Sequence, residues 1–264
     1  MYKSTNGGSS WSAASVGLSG PYFTSVFALA IDPTTPTRLY VATDAGLFQS
    51  TDSGTSWSPS NLNVSWVYTV AVDPSTPGTL YAGTQFSGVF RSTDAGGSWT
   101  AINTGMPDNT GLTLSIATLA IDPTTPNTLY AGRIIAQVND VITNGGVYKS
   151  TNGGDTWSVA STGLTADPLS VRALAIDPTT PSTLYAAIDG FFGAKGGVVF
   201  QSTNSSASWH PIDAGLPNGA GVPALVFAPA TPPAIYAASF GVFSLQQVDL
   251  CIGNCDGSDA VRVK

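Results

Sequence analysis

One eight-residue motif occurs five times along the chain, and no other feature limits the fold as strongly. Its copies are STNGGSSW from residue 4, STDSGTSW from 50, STDAGGSW from 92, STNGGDTW from 150 and STNSSASW from 202. Five of the six tryptophans end one of these copies, and the exception is Trp66. A motif that returns at such spacing indicates a repeated supersecondary unit rather than one irregular domain.

A second repeated pattern precedes most copies of the motif. It contains an apolar run, an Asp-Pro turn and a second apolar run, as in LAIDPTTPTRLYVAT from residue 29. The first run, Phe27 to Ile31, is nearly continuous in apolar residues, which predicts a strand covered on both faces. Asp32 and Pro33 end it, because proline cannot donate to a strand ladder. With GVF or GVY before the motif and a short stretch after its tryptophan, each unit predicts four strands.

A unit of about 40 to 50 residues with four short strands is typical of a β-propeller blade. An all-β sandwich is the alternative, but a sandwich does not need the same turn five times. The predicted fold class is therefore all-β, a propeller of four-stranded antiparallel blades. Residues 1–248 form the predicted propeller and residues 249–264 a cysteine-containing tail.

The number of blades depends on the two ends of the repeat. Four units are continuous, whereas the fifth runs from Val222 to FGVFSL at 240–245 without its own motif. The N-terminus supplies a motif without preceding strands. We therefore predict five blades, with residues 4–15 pairing with 236–245 to close the last one and remove its exposed edge. The alternative is part of a longer propeller, since MYKS and GVFS both read as third strands.

Composition excludes several kinds of function. All sixteen acidic residues are Asp, so no mechanism can use a glutamate, and the net charge is −7. The nine Lys and Arg residues are scattered, which argues against a nucleic-acid partner. With His210 as the only histidine, a His-rich metal site or a Ser-His-Asp triad lacks its ligands. No apolar run is long enough for a membrane span.

The repeated motif itself is predicted to be a structural turn. Its third position is Asp in two copies and Asn in three, and both side chains offer the oxygen that accepts backbone N–H groups in an Asx-turn. The glycine two positions later fits a left-handed residue, and the tryptophan packs between sheets. The Asp of the Asp-Pro turn is predicted to cap that turn. The predicted structural residues are Ser4, Asn6, Trp11, Ser50, Asp52, Trp57, Ser92, Asp94, Trp99, Ser150, Asn152, Trp157, Ser202, Asn204 and Trp209.

The motif resembles the Asp-box, or BNR repeat, of sialidase-like propellers. Its frame is similar to the branch with sortilin-type receptors, xyloglucanase-type glycoside hydrolases and photosystem II assembly-factor-like proteins. The resemblance covers residues 1 to about 246 and implies the propeller fold. A sialidase would carry an RIP motif, an arginine triad and a Tyr–Glu pair, which this sequence lacks. The resemblance therefore does not extend to sialidase activity.

Connections in a four-stranded meander alternate between two ends of the sheet. The Asp-Pro turn and the repeated motif share one end, which we call the box end. The connections between the second and third strands, and from each fourth strand to the next unit, share the other, which we call the loop end. Loops on a rigid frame commonly carry binding residues. The ligand-binding candidates there are Tyr22, Trp66, Phe86, Arg133, Phe191 and Phe192.

Two functions are compatible with these loops. The first is a non-catalytic binding or scaffold protein, a monomer whose loop end engages a protein or a glycan. The alternative is a glycoside hydrolase that uses paired loop aspartates, for which the candidates are Asp108, Asp140, Asp167 and Asp189. Several of these loop residues also fit a purely structural role in loop packing.

The C-terminal CIGNCDGSDAVRVK resembles the start of a dockerin-like calcium segment of secreted bacterial proteins. That resemblance makes Asn254, Asp256 and Ser258 the first oxygen ligands, but Asp259 replaces the expected glycine and the closing acidic residue is absent. Calcium would thus have an incomplete site, and no other cofactor is expected. Cys251 and Cys255 form either a small disulfide or two free thiols. We expect a secreted or cell-surface protein, shortened at its N-terminus because it begins inside a repeat without a signal peptide.

Overall fold

The computed structural model describes residues 1–19, 25–107, 114–138, 141–143, 145–165, 169–189, 198–212, 216, 221–228, 234–238 and 242–246. Every element in these ranges is a β-strand, and they include no helix long and apolar enough to span a membrane. The first ten strands are β1 (Tyr2–Lys3), β2 (Ser12–Ala13), β3 (Val26–Ile31), β4 (Leu39–Thr43), β5 (Gly46–Ser50), β6 (Ser58–Pro59), β7 (Val67–Val72), β8 (Leu80–Thr84), β9 (Val89–Ser92) and β10 (Thr100–Ala101).

Thirteen strands follow in the described ranges, β11 to β23. They are β11 (Ile116–Ile121), β12 (Leu129–Arg133), β13 (Ala136–Val138), β14 (Val141–Thr143), β15 (Gly146–Ser150), β16 (Ser158–Val159), β17 (Ser170–Ile176), β18 (Leu184–Asp189), β19 (Val198–Ser202), β20 (His210–Pro211), β21 (Ala224–Ala228), β22 (Ala234–Ala238) and β23 (Val242–Gln246). The fourth strand of each unit has only two residues, because the repeated motif precedes it and the variable connection follows.

Four sheets have four strands each, in the orders β3-β4-β5-β6, β7-β8-β9-β10, β11-β12-β15-β16 and β17-β18-β19-β20. A fifth sheet has the order β21-β22-β23. Each sheet takes its strands from one predicted unit, and its strands follow one another in chain order, as a meander does. The hairpin β13-β14 is an insertion between the second and third strands of the third unit. Five sheets thus correspond to the five predicted blades.

The N-terminal segment forms a hairpin of its own. Tyr2 pairs with Ala13 and Lys3 with Ser12, and the Ala14 N–H donates to the Met1 carbonyl over 3.1 Å. The described pairings do not include the one predicted between residues 4–15 and 236–245; β23 pairs with β22 in a three-stranded sheet. The strand around Tyr2 pairs with the short strand that follows its own copy of the repeated motif.

The chain divides into two compact units, residues 1–129 with 150–157 and residues 130–149 with 158–264. In the first unit, Tyr40 and Ala42 of one sheet pack against Leu80 and Ala82 of the next in a buried cluster. In the second unit, a similar cluster joins β17, β18 and β19 to Ile235 and Ala237 of β22. Apolar faces of successive sheets therefore form the core of each unit, as expected for sheets that cannot bury their faces alone.

One prediction about the strands was wrong for β3. Its apolar run was expected to be covered on both faces, but Phe27, Leu29 and Ile31 are exposed. Ala28 and Ala30 face the neighbouring cluster, whereas the alternate residues point to the opposite side of the sheet. Within the second unit, Val226 and Tyr236 of the last sheet are similarly exposed. A continuous apolar run in this chain therefore indicates a first strand without fixing its burial.

Candidate functional site

The five copies of the repeated motif form the same hydrogen-bonded turn. In the fourth copy the Ser150 hydroxyl donates to Asn152 Oδ1 over 2.8 Å and accepts the Gly154 N–H over 2.9 Å. The Thr156 N–H donates to the same Oδ1 over 3.0 Å. Gly154 has a φ of 92°, which requires a residue without a Cβ penalty. Side-chain oxygens thus satisfy the backbone N–H groups that the turn leaves free.

The exchange of Asp and Asn in this turn has a simple geometric basis. Asp94 accepts the Ser98 N–H at Oδ1 over 2.8 Å and the Ser98 hydroxyl at Oδ2 over 2.6 Å. In the copy with Asn152, the Oδ1 bond is retained, and Nδ2 donates to the Thr156 hydroxyl over 2.9 Å. A hydroxyl can donate or accept, so its role reverses and both side chains fit. The turn therefore uses an oxygen and does not depend on a charge.

The same bonds shift the acidity of the two aspartates. Hydrogen bonds from the Ser56 hydroxyl and backbone N–H, and from the Ser50 hydroxyl, lower the pKa of Asp52 to about 2. The corresponding bonds from Ser98 and Ser92 lower the pKa of Asp94 to about 2. Both carboxylates are ionised at neutral pH with their oxygens already engaged. Neither is prepared to exchange a proton near neutrality, as a general acid or base would.

Four of the five motif tryptophans join one repeat to the repeat before it. The indole N–H groups of Trp57, Trp157 and Trp209 donate to the carbonyls of Ala14, Ile102 and Ala160 over 3.1, 2.7 and 2.8 Å. Trp99 donates instead to the Ser60 hydroxyl over 3.0 Å. Each acceptor follows the fourth strand of the preceding repeat. The box end therefore fixes the spacing of successive repeats.

Glycine residues allow the backbones of successive repeats to approach closely at this contact. A Cβ at Gly105 would lie 2.1 Å from the Trp157 carbonyl oxygen, and Gly105 has a φ of 89°. Trp157 is 4% exposed, whereas Trp11, in the first copy, is 65% exposed. The box turn thus forms with or without a packed tryptophan, because Asn6 makes the same bonds as Asn152.

The Asp-Pro turns at the same end are also satisfied. Asp32 Oδ1 accepts the Thr34 N–H, the Thr34 hydroxyl and the Thr35 N–H, each over 2.9 Å. Burial alone would raise the pKa of Asp32, but these hydrogen bonds and the nearby Arg38 lower it below its ordinary value. The equivalent Asp73, Asp122 and Asp177 make the same contacts. The carboxylates at this end serve the turns.

At the loop end of the first unit, backbone hydrogen bonds link connections that are far apart in sequence. The Trp66 N–H donates to the Asp44 carbonyl over 3.0 Å, and the Gln85 N–H donates to the Trp66 carbonyl over 2.9 Å. The Ser115 hydroxyl donates to the Gln85 carbonyl. The alternation of connections predicts that these loops meet, and the bonds show that they do. They form a continuous ordered surface along three successive repeats.

Aromatic side chains lie on this surface. Trp66 is 39% exposed and stacks on Phe27 with ring centroids 6.1 Å apart, while Phe27 meets Tyr68 edge to face at 5.1 Å. Phe86, in the next connection, is 49% exposed. Trp66 also has a φ of 56°, a left-handed conformation that is unfavourable for a bulky residue and is often retained at functional sites. We call Phe27, Trp66, Tyr68 and Phe86 the aromatic platform.

Three buried side-chain atoms in the described part of the chain have no hydrogen-bond partner: Gln85 Oε1, Arg133 Nε and Ser170 Oγ. All three residues lie at the loop end of their sheets: Gln85 directly follows β8, Arg133 is the last residue of β12 and Ser170 is the first residue of β17. Buried polar atoms are nearly always paired, so unpaired ones call for an explanation. At the box end the Ser and the Asp or Asn of every copy of the repeated motif are hydrogen-bonded to each other.

The predicted site residues lie in different parts of the structure. It brings Trp66 and Phe86 to the same end of the first unit, and it places Arg133 in the interior of the second. Asp189 is the last residue of β18, opposite Ser170 in the strand register. The other predicted residues lie outside the described ranges: Tyr22, Asp108, Asp140, Asp167, Phe191, Phe192, Cys251, Asn254, Cys255, Asp256 and Ser258. The sequence did not single out Gln85 or Ser170, since nothing local marks them as buried.

No metal centre is evident among the described residues, which contain no group of three or more His, Cys, Asp or Glu side chains that could hold an ion. This agrees with the use of each box and Asp-Pro carboxylate in a turn. Among the described residues, the loop end includes aromatic faces, a buried amide oxygen, a buried hydroxyl, a buried guanidinium and the buried Asp44 carboxylate.

Solved structures with a similar fold include GH74 enzymes and YCF48. An ancestral GH74 enzyme has a TM-score of 0.75 at 22% identity, covering 94% of this chain and 34% of that one. The GH74 xyloglucanase from Xanthomonas campestris has a TM-score of 0.66 at 20% identity, covering 84% of this chain and 36% of that one. YCF48 from Cyanidioschyzon merolae has a TM-score of 0.61 at 16% identity, covering 93% and 73%.

These likenesses show the fold. The chain is a β-propeller, all-β with four-stranded antiparallel sheets, as the sequence predicts. It spans about a third of the length of the GH74 structures. No protein-family profile and no curated protein sequence matches it. At identities of 16 to 22%, the likeness shows the architecture and does not show an activity.

Proposed function

We propose that this protein is a non-catalytic binding propeller whose ligand contacts the loop end. The observation that carries the proposal is the distribution of unpaired polar atoms. Gln85 Oε1, Arg133 Nε and Ser170 Oγ are buried without partners at the loop end, whereas the described boxes are satisfied. In each compact unit, a bound ligand would provide the missing partners at the end where the connections vary most between repeats.

The aromatic platform favours a glycan as the ligand. Trp66 and Phe86 are exposed and have flat apolar faces. Gln85 precedes Phe86 and donates its backbone N–H to the Trp66 carbonyl, and its side-chain Oε1 could accept a hydrogen bond from a ligand hydroxyl. An apolar surface with a few placed polar groups is the usual composition of a ligand site. One of the GH74 neighbours is described as a xyloglucanase, so xyloglucan oligosaccharides are the first ligands to test. A protein ligand is the other form of this proposal, because a YCF48 structure is described as bound to D1 peptide.

The test is a binding titration with a matched pair of variants. Isothermal calorimetry with xyloglucan and cellulose oligosaccharides should give saturable binding to the wild-type protein. Trp66→Ala removes the centre of the platform, and we expect at least a tenfold loss of affinity. Trp11→Ala removes a tryptophan at the box end that is more exposed than Trp66, and this variant should bind as the wild type does. Equal losses in the two variants, or no glycan binding by the wild type, would contradict a glycan-binding platform.

The alternative is a glycoside hydrolase that uses paired loop aspartates. It is supported by the GH74 neighbours and by the four candidates Asp108, Asp140, Asp167 and Asp189. Such a pair needs carboxyl groups about 5 to 10 Å apart across a cleft. Incubation with xyloglucan, followed by a reducing-sugar assay, separates the alternatives. Release that disappears when the four aspartates are changed to asparagine would favour the hydrolase, and no release above a buffer control favours binding alone.

We propose further that the protein acts as a monomer outside the cytoplasm, in a secreted or cell-surface setting. The support is the dockerin-like tail together with the Gly-, Ser- and Thr-rich, weakly charged composition. Its mass by light scattering should match 26.9 kDa. The tail, with Asn254, Asp256 and Ser258, is proposed to be too incomplete to hold calcium on its own. Calorimetric titration with calcium chloride should therefore show no saturable binding at micromolar concentrations.

A further inference from the structure

Arg133 is the only Lys or Arg in the described ranges whose side chain is buried. It ends β12 at the loop end of the second unit and is 3% exposed, and its Nε–H has no hydrogen-bond acceptor. The two ion pairs formed by described residues are Arg38 with Asp32 and Arg91 with Asp155, and Arg133 takes part in neither. A buried guanidinium N–H without an acceptor is costly, so its retention suggests an acceptor from outside.

Other Lys and Arg side chains of the chain donate hydrogen bonds to defined acceptors. Arg91 donates to the Gly153 carbonyl over 2.9 Å and to Asp155 Oδ1 over 2.8 Å. Lys3 and Lys149 donate to the carbonyls of Ser53 and Ser205 over 2.8 and 3.0 Å. All three side chains are partly exposed and still find partners. Arg133 is more deeply buried, and its Nε–H lacks an acceptor.

A second unpaired donor lies at the same place. Ser170, the first residue of β17, is 2% exposed, and its hydroxyl has no partner. The Gly145 N–H donates to the Leu169 carbonyl over 2.7 Å. A Cβ at Gly145 would lie 2.2 Å from the Arg133 carbonyl and 2.3 Å from the Leu169 carbonyl. Gly145 thus lies between the backbone at the end of β12 and the backbone just before β17, and these two strands carry Arg133 and Ser170.

The donors define the chemistry of the ligand. A guanidinium presents parallel N–H groups that match the two oxygens of a carboxylate, and a neighbouring hydroxyl can donate to one of them. One cation matches a monoanion, and the net charge of −7 opposes a dianion such as phosphate. We propose that Arg133 and Ser170 bind the carboxylate of a ligand at the loop end of the second unit. This site uses other residues than the aromatic platform does, so different ligands and different variants test the two proposals.

The test uses carboxylates paired with neutral analogues. N-acetylalanine against N-acetylalaninamide represents a peptide C-terminus, and glucuronate against glucose represents an acidic sugar. In titrations followed by ¹H–¹⁵N NMR, one carboxylate of the two pairs should bind saturably at millimolar concentration, and its neutral analogue should not. Whichever pair responds identifies the source of the carboxylate. If charged and neutral compounds act alike, the proposal is wrong.

Variants then assign the binding to this pair of residues. Arg133→Gln should weaken carboxylate binding at least tenfold and Ser170→Ala about threefold. Arg38→Gln, which removes a cation at the box end, should leave the affinity unchanged. Equal affinity of Arg133→Gln and the wild type would overturn the assignment. If Arg133→Gln does not fold, Ser170→Ala against Arg38→Gln makes the same comparison.

Ligand-free stability tests the other explanation, in which a carboxylate of the chain itself, such as that of Asp189, already pairs with Arg133. Replacing an unpaired buried cation by an apolar side chain should be stabilising, so Arg133→Met should raise Tm by about 2–4 °C. Loss of an internal ion pair would instead lower Tm in both Arg133→Met and Asp189→Asn. That result would overturn the proposal.

Discussion

The two ends of each sheet differ in how completely their polar groups are used. At the box end, five copies of one turn pair their side-chain oxygens and hydroxyls, and four indole N–H groups each find an acceptor. At the loop end, three buried polar atoms are unpaired and Trp66 adopts a left-handed conformation. The comparison teaches that the repeated sequence builds the frame, and that the departures from regularity indicate where a ligand belongs.

The largest expected effect tests the box end as a joint. Trp157→Ala removes a buried indole and its hydrogen bond to the Ile102 carbonyl, and should lower the free energy of unfolding by about 3–5 kcal/mol. Trp11→Ala removes the exposed copy and should change it by less than about 0.5 kcal/mol. Urea unfolding followed by circular dichroism measures both. Similar losses would mean that burial of the tryptophan is not what stabilises the frame.

A smaller effect tests whether the turn needs an oxygen or a charge. Asn152→Ala removes the acceptor of the Ser150 hydroxyl and the Thr156 N–H, and should cost about 1 kcal/mol, as the loss of a capping side chain does. Asn152→Asp keeps the acceptor and should stay within about 0.5 kcal/mol of the wild type. The same urea titration decides. If Asn152→Asp lowered the stability as much as Asn152→Ala, the Thr156 hydroxyl would not be able to change from accepting a hydrogen bond to donating one.

The fifth copy offers a stabilising change of comparable size. Ser206 occupies the left-handed position that glycine holds in the other copies, with a φ of 68°. Ser206→Gly should raise the free energy of unfolding by about 1 kcal/mol, because an L-residue is strained there. Ser208→Gly, two residues later, is the control and should not stabilise. Thermal unfolding would contradict the account if Ser206→Gly melted below the wild type.

The smallest expected effect is the response to acid. Asp52 and Asp94 have folded-state pKa values of about 2 against an ordinary value of 3.8, so the unfolded chain binds protons first as the pH falls. Their contribution to stability is complete above about pH 4 and is lost as the pH falls toward 2. The double variant Asp52→Asn, Asp94→Asn should therefore lose less stability between pH 4 and 2 than the wild type. Parallel curves would show that these carboxylates are not selectively stabilised in the fold.

Much of this contrast could be predicted from the sequence, because its causes are local. An Asx-turn is set by residues within a few positions, so the five copies fix the turns, the strand order and the end at which each connection lies. Trp66 and Phe86 could be placed together by the alternation of connections alone. Burial could not be predicted in the same way, since it depends on neighbours from other repeats. Gln85 and Ser170 carry no local mark, and Trp11 and Trp157 end nearly identical motifs.

The most direct test of the account is a titration that watches all six tryptophans together. In ¹H–¹⁵N spectra each indole N–H gives one signal, and those of Trp57, Trp99, Trp157 and Trp209 are bonded within the frame. On addition of a xyloglucan heptasaccharide, we predict that the Trp66 signal shifts saturably while these four stay in place. Shifts of the box indoles without Trp66, or no shift at any tryptophan, would contradict the division between a structural box end and a binding loop end.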